Sequence, residues 1–372
     1  MPDDATPLEP RHDALVPLRA LIAALPEPVM LVSPAGVVLA ANPAADELFG
    51  VALAGARVRA HLRQPDAAAM LDRALAPDAA PDVAHTALMI VGSASAETTW
   101  QITARRLGAD AAGLDGVIVS LHDISHRAAA EAQRRDFIAN VSHELRSPLT
   151  VLAGFIETLQ DAASEDPVAR AEFLDIMARE TQRMAGLVAD LLSLSRLEGS
   201  ERIRPRDPVS IVAVLRATLA ALRPQVEAAG LDIDWQVPDD LPQVPGDHDQ
   251  LVQVFHNLLE NALKYGAGGG SVSIIAETLP RFPGVDGPAL RVSVIDRGDG
   301  VDPIHIPRLT ERFYRVDRAR SREQGGTGLG LAIVKHILNR HRGRLIIRST
   351  PGAGCRFDAV VPASCAAPPV AS

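Results

Sequence analysis

The spacing of apolar and polar positions changes period twice along the chain, and each change marks a candidate domain boundary. Over residues 17–125, the short apolar runs VMLVS, GVVLAAN, ALMIVG and GVIVSL are separated by Gly, Pro and Asn, which predicts strands. Helical patches at Pro43–Leu48 and Ala67–Leu75 make this region a small α+β unit. Over 126–200 the period becomes helical. Phe137, Val141, Leu145, Leu152, Phe155 and Leu159 trace one stripe, and Phe173, Ile176, Met177, Met184, Leu187, Leu191, Leu194 and Leu197 trace another. The string ASEDP at 163–167 predicts a turn between them, hence an antiparallel hairpin. Two such helices cannot bury both stripes alone, so a homodimeric four-helix bundle is expected.

Residues 205–363 read as an α/β sandwich. Helices are predicted at 208–228, 247–264 and 328–341, and strands at 232–237, 271–278, 289–295 and as a pair within 344–361. A polar, arginine-rich loop spans 297–324. The ends, 1–16 and 364–372, read as a flexible leader and a loose tail.

A length of 372 residues exceeds one ordinary core, so this division into several domains agrees with size. The net charge of −9 disfavours nucleic acid as a partner, because phosphate binding needs a basic face. No run of 18 apolar residues predicts a membrane span; the nearest, 20–41, is broken by Pro26, Glu27, Pro28 and Pro34. The acidic start MPDDATPLEP is unlike a signal peptide. The two cysteines, Cys355 and Cys365, give no disulfide or zinc framework and fit a reducing, cytoplasmic location.

Four strings carry candidate chemistry. In ANVSHELRSPLT at 139–150, His143 offers a ring nitrogen as phosphoryl acceptor, and Glu144 offers a carboxylate that can reach back to take the proton from the other nitrogen. Arg146 adds positive charge near an incoming phosphate, and Pro148 permits a bend. Taken alone, an HE pair is more often a solvated helix face. In HNLLENALKY at 256–265, Asn257, Asn261 and Lys264 share one helix face and lead to Tyr265, while Leu258, Leu259, Ala262 and Leu263 form the other. An amide oxygen on Asn261 suits Mg²⁺, and Lys264 can neutralise a phosphate; a plain polar face is the competing reading. In VIDRGDGVD at 294–302, Asp296 at a strand end can accept the adenine amino hydrogen, with Gly298 and Gly300 allowing close backbone approach; an ordinary turn would look similar. In GGTGLGLAIVKHI at 325–337, Gly326, Thr327, Gly328, Leu329 and Gly330 precede a helix whose N-terminus can hold an anion. That spacing is neither a dinucleotide fingerprint nor a P-loop.

Together, in this order, the strings over 134–361 resemble sensor histidine kinases, and RRDFIANVSHELRSPLTVLAGFIETL looks particularly like the phosphate-regulon type. EPVMLVSPAGVVLAANPAADELFG and the closing LHDIS at 121–125 resemble a PAS sensor domain. The resemblance implies an enzyme that phosphorylates its own His143 from Mg²⁺-ATP and passes the group to an aspartate on a response-regulator receiver domain. It implies that ERFYRVDRARSRE at 311–323 is a lid over ATP, with Arg315 a phosphate contact. Ser147, one turn after His143, stands where relatives carry a residue for removing phosphate from the partner; a local cap near Pro148 is the equal alternative. ATP-hydrolysing relatives carry a glutamate where this chain has Asn257, which argues against a gyrase- or chaperone-type ATPase. An ATP-binding scaffold without phosphotransfer is the other alternative. Relatives usually carry membrane helices before the PAS domain; a soluble relative, a shortened chain and recruitment to the membrane by a partner are the three readings left open.

Overall fold

The computed structural model describes residues 12–81, 83–93, 96–107, 115–160, 166–200, 204–317 and 326–364. The chain divides into two compact units, Met1–Asp136 and Phe137–Ser372.

The first unit is a five-stranded antiparallel sheet in the order β2-β1-β5-β4-β3, formed by β1 (Val29–Val32), β2 (Val38–Ala41), β3 (Ala84–Ser93), β4 (Ala96–Leu107) and β5 (Gly116–Asp123). All of β1 is buried because both its faces are covered. Met30 and Val32 pack with Met70 and Leu71 of α3 (Pro65–Leu75), whereas Val29 and Leu31 pack with Ile22 of α1 (His12–Ala23). Between β2 and α2 (Pro43–Phe49), the buried Asn42 satisfies its whole amide. Its Oδ1 accepts from Ala45 N and Val29 N at 3.0 Å each, and its Nδ2 donates to Leu25 O at 3.0 Å and Glu27 O at 2.7 Å. This is a helix cap that also ties α2 to the sheet.

The predicted helical patches and four apolar runs appear as α2, α3, β1, β2, β3 and β5. Two differences stand out. The leader was expected to be flexible through residue 16, yet α1 begins at His12; residues 1–11 lie outside the described residues. Strand β4 was not predicted, because its inward Ile102 and Ala104 alternate with Thr and Gln rather than forming an apolar run.

Helix α4 (Ser125–Gln160) is continuous through Pro148, with no break at the predicted bend, and α5 (Pro167–Ser200) returns. Part of the predicted turn, 163–165, lies outside the described residues. Its remainder caps α5: Asp166 Oδ1 accepts from Val168 N at 2.9 Å and Ala169 N at 3.1 Å, with Pro167 at the first helical position. The two stripes meet at Phe155 and Phe173, whose ring centroids lie 5.1 Å apart.

The rest of the second unit is a two-layer sandwich. Its five-stranded mixed sheet has the order β11-β12-β10-β9-β7: β7 (Asp232–Gln236), β9 (Ser271–Leu279), β10 (Ala289–Asp296), β11 (Arg344–Thr350) and β12 (Gly354–Pro362). Among the described residues only β7 and β9 pair in parallel. Helices α6 (Ile211–Ala229), α7 (His248–Gly266) and α8 (Gly330–Arg340) cover one face. A short ribbon of β6 (Asp207–Val209) and β8 (Val244–Gly246) was not predicted. Alternation sets the inward residues: Val272 and Ile274 on β9, and Leu290, Val292 and Val294 on β10, contact Leu251, Phe255 and Leu258 of α7 within one core. The tail at 365–372 lies outside the described residues.

Candidate nucleotide and phosphoacceptor site

The alternation that turns Val292 and Val294 toward α7 puts Asp296 on the same side, at the end of β10. Asp296 is buried, and its Oδ1 accepts from Gly298 N at 3.0 Å and Cys355 N at 3.1 Å. Burial pushes its carboxyl above the usual range, and these two N–H groups partly offset that. Gly298 is needed for close packing: a Cβ there would collide with the Tyr265 carbonyl oxygen.

A cavity of about 910 Å³ opens beside Asp296. The amphipathic α7 buries Leu258, Leu259, Ala262 and Leu263 and presents Asn257, Asn261, Lys264 and Tyr265 to it. Asn257 Nδ2 donates to Gly330 O at 3.2 Å and so holds the start of α8; Lys264 pairs with Glu260 at 2.9 Å. Gly300, Arg315, Gly326, Thr327, Gly328 and Gly330 complete the expected lining. Gly328 requires its residue type twice over: its φ is +72°, and a Cβ would press on the Phe313 backbone. Phe313 N in turn donates to Gly328 O at 2.9 Å. Residues 318–325 lie outside the described residues, and with them Arg318, Arg320, Arg322 and Gly325. Two expected contacts do not line the cavity. Gly298 acts on Asp296 instead, and Leu329 is a fully buried core residue whose N–H donates to Thr327 Oγ1 at 3.2 Å.

The phosphoacceptor string lies on α4. His143, Arg146 and Ser147 are exposed, and Pro148 is buried. Glu144 does not reach back to the His143 ring. Its carboxylate accepts from Arg183 Nη2 at 3.0 Å, with Arg315 Nη1 3.9 Å away. Adjacent helix positions point about 100° apart, so a neighbour in sequence is not a neighbour in space without a side-chain rearrangement.

Helix α5 contributes residues that sequence reasoning missed. Arg183 and Asp190 line the cavity, and Asp190 Oδ2 accepts from Thr327 Oγ1 at 2.8 Å. Nothing in the sequence distinguishes them from a solvated helix face. Cys355 is buried in β12, and burial pushes its thiol up, as befits a small strand residue rather than a reactive one.

An acidic strand end, an amide-bearing helix face and a glycine-rich helix start thus meet around one cavity. Residues 246–364 match the family described as histidine kinase-, DNA gyrase B-, and HSP90-like ATPase. Residues 133–200 match the His Kinase A (phospho-acceptor) domain, and residues 22–129 match the PAS fold. Together these matches give the chain, in order, the PAS, phosphoacceptor and ATPase domains of a PAS-containing sensor histidine kinase.

The phosphate regulon sensor protein PhoR of Pseudomonas aeruginosa is 42% identical over 243 residues, 64% of this chain and 52% of that protein. The sensor-like histidine kinase SenX3 of Mycolicibacterium smegmatis is 37% identical over 245 residues, 66% of this chain and 62% of that protein. The matched region thus spans between half and two thirds of these relatives. A crystal structure of histidine kinase ThkA in complex with response regulator protein TrrA aligns over 93% of this chain and 98% of that one, with a TM-score of 0.50 and 20% identity, a likeness of fold. Among the described residues no helix is long and apolar enough to cross a membrane.

Proposed function

We propose that the protein transfers the terminal phosphoryl group of ATP to His143 and then to an aspartate of a response-regulator receiver domain. One observation carries this reading: the cavity built by Asn261, Asp296 and the 326–330 glycine box is walled by Arg183, which also holds Glu144, the residue next to His143. The pocket and the acceptor string are therefore one side chain apart in a single unit. Asp296 accepts from the adenine amino group, and Lys264, Arg315 and the N-terminus of α8 neutralise phosphates. Among the described residues no group of three or more His, Cys, Asp or Glu is arranged to hold a metal by itself. That suits Mg²⁺, which keeps most of its waters and takes one or two protein oxygens with those of the phosphates. Asn261 would hold it, and it would supply charge neutralisation at the transferred group.

In the transfer, a His143 ring nitrogen forms the bond to phosphorus, the bond to the ADP oxygen breaks, and Glu144 takes the proton from the other ring nitrogen. Ser147, one turn away and exposed, is the group we assign to aligning water when phosphate is removed from the partner. Exposed Ile138, Leu149 and Val151 on α4, and Leu174, Val188 and Leu192 on α5, support a second copy of this chain completing a four-helix bundle. The 42% identity to a phosphate regulon sensor supports phosphate signalling as the pathway class. The free thiol of Cys355 fits a cytoplasmic site.

The test is labelling with γ-³²P-ATP. The wild-type chain should acquire acid-labile label that passes to the receiver domain, and His143→Gln should bind nucleotide but stay unlabelled. Label on the His143→Gln protein would overturn the assignment.

A further inference from the structure

Glu144 is held by two cations that both line the nucleotide cavity. Arg183 reaches it from α5 at 3.0 Å through Nη2, while Arg183 Nη1 is fixed by Glu180 at 2.8 Å. Arg315 approaches it at 3.9 Å. The cluster is partly desolvated, with side-chain exposures of 15% for Arg183, 6% for Arg315 and 25% for Glu144. A guanidinium in such a setting pairs with a carboxylate or a phosphate through the same planar fork. Glu144 and an incoming terminal phosphate therefore compete for the same donors. While Glu144 is held there it is turned away from the His143 ring, so it is not placed to take the ring's proton.

We propose that Arg183 is a positioning residue for phosphoryl transfer: on nucleotide binding it exchanges Glu144 for the terminal phosphate, which orients the phosphate and releases Glu144 to the His143 ring. This rests on the function proposed above. One exchange thus performs two tasks, and the base becomes available only when a terminal phosphate is present. ADP, which lacks that phosphate, leaves Glu144 where it is. Glu180 keeps the Arg183 stem in place throughout, because it binds the other terminal nitrogen. No other reactant is required, and the transfer itself stays as written above.

The experiment uses the full chain and compares binding of ADP and of a non-hydrolysable ATP analogue with the rate of His143 labelling. Arg183→Ala should weaken the ATP analogue about tenfold while leaving ADP unchanged, the loss of one charge-assisted hydrogen bond. Labelling at saturating ATP should fall further, by roughly a hundredfold, since the released base is lost with the oriented phosphate. Arg183→Lys should restore part of the ATP-over-ADP preference. Glu144→Gln should tighten the ATP analogue, because a weaker competitor now faces the phosphate, while labelling drops. Equal weakening of ADP and the ATP analogue in Arg183→Ala, or unchanged binding and labelling, would mean that Arg183 only ties α4 to α5, and the proposal fails. Those results leave the His143 assignment standing; label without His143 removes that assignment instead.

Discussion

Asp190 on α5 accepts the Thr327 hydroxyl of the glycine box at 2.8 Å, and the same hydroxyl accepts from Leu329 N at 3.2 Å. One turn further along α5, Ser193 donates to Gln253 Oε1 of α7 at 3.0 Å. The returning helix of the hairpin is thus bonded to both walls of the nucleotide cavity. Burial raises the Asp190 carboxyl above its ordinary value of 3.8, the Thr327 bond opposes this, and nearby Glu260 adds to it. The sign follows: a carboxyl whose folded pKa lies above its unfolded value contributes its full stability below the unfolded pKa, and that contribution is lost as pH rises through the folded pKa. At neutral pH the ionised Asp190 therefore opposes folding. Asp190→Asn keeps an acceptor for Thr327 and removes the charge, so its unfolding midpoint at pH 7.5 should exceed wild type. Asp190→Ala, which leaves Thr327 without its acceptor, should fall below wild type. A lower midpoint for Asp190→Asn than for Asp190→Ala would refute this account.

Asn257 acts on the glycine box from the opposite wall, through its 3.2 Å bond to Gly330 O. A glutamate here, as in ATP-hydrolysing relatives, could not donate that bond. Asn257→Ala should lower nucleotide affinity about five- to tenfold, the value of one neutral hydrogen bond at about 1 kcal/mol. Asn257→Asp should be worse, because it sets a carboxylate against a carbonyl. Calorimetric titration with an ATP analogue checks both; an Asn257→Asp protein that binds as tightly as wild type would exclude the anchoring role.

The alternation of β10 and the helical face of α7 were legible in the sequence because each is set by one short-range period. Val292, Val294 and Asp296 alternate at period two, and Asn257, Asn261 and Lys264 repeat at the helical spacing. The hairpin was legible for the same reason. Strand β4 escaped because Trp100, Ile102 and Ala104 are spaced by polar residues on the open face, which gives no apolar run to detect. The β6–β8 ribbon escaped because it has three residues a side and carries Pro208 and Pro245. The α5 contribution to the site escaped for a different reason. Arg183 and Asp190 acquire meaning only from Glu144 and Thr327, which lie 39 and 137 positions away in sequence. Local pattern cannot report such pairs, and it placed Glu144 on His143 instead.

Asp296 holds Gly298 N and Cys355 N through Oδ1 alone. Asp296→Asn can keep both bonds through its amide oxygen while replacing Oδ2 with a donor that repels the adenine amino group. ATP affinity should therefore fall about 10- to 100-fold, in line with about 1.5–3 kcal/mol for a hydrogen bond to a charged group. The preference for ATP over GTP should shrink with it. Because burial works against the Asp296 charge, the unfolding midpoint should not drop. Loss of folding together with binding would make Asp296 a structural residue only.

The C-terminal sandwich carries a buried histidine, and it sets an acid limit on stability. His341 is fully buried at the end of α8. Its Nδ1 lies 2.8 Å from Ile337 O and its Nε2 accepts from Asp247 N at 3.0 Å, so the ring is neutral with the proton on Nδ1. Burial holds its pKa below the ordinary 6.5; the Ile337 carbonyl and Asp247 oppose the shift, while Arg340 and Arg204 add to it. With the folded pKa depressed, the unfolded chain binds the proton more readily. The contribution of His341 is complete above about pH 6.5 and is lost as pH falls toward the folded pKa, by up to about 1.4 kcal/mol per pH unit in that window. Thermal unfolding followed between pH 8 and pH 5 should show the midpoint falling below pH 6.5. His341→Gln should be less stable at pH 8, since Asp247 N loses its imidazole acceptor, yet its midpoint should vary less across the same window. An unchanged pH slope in His341→Gln would move the acid sensitivity to another group.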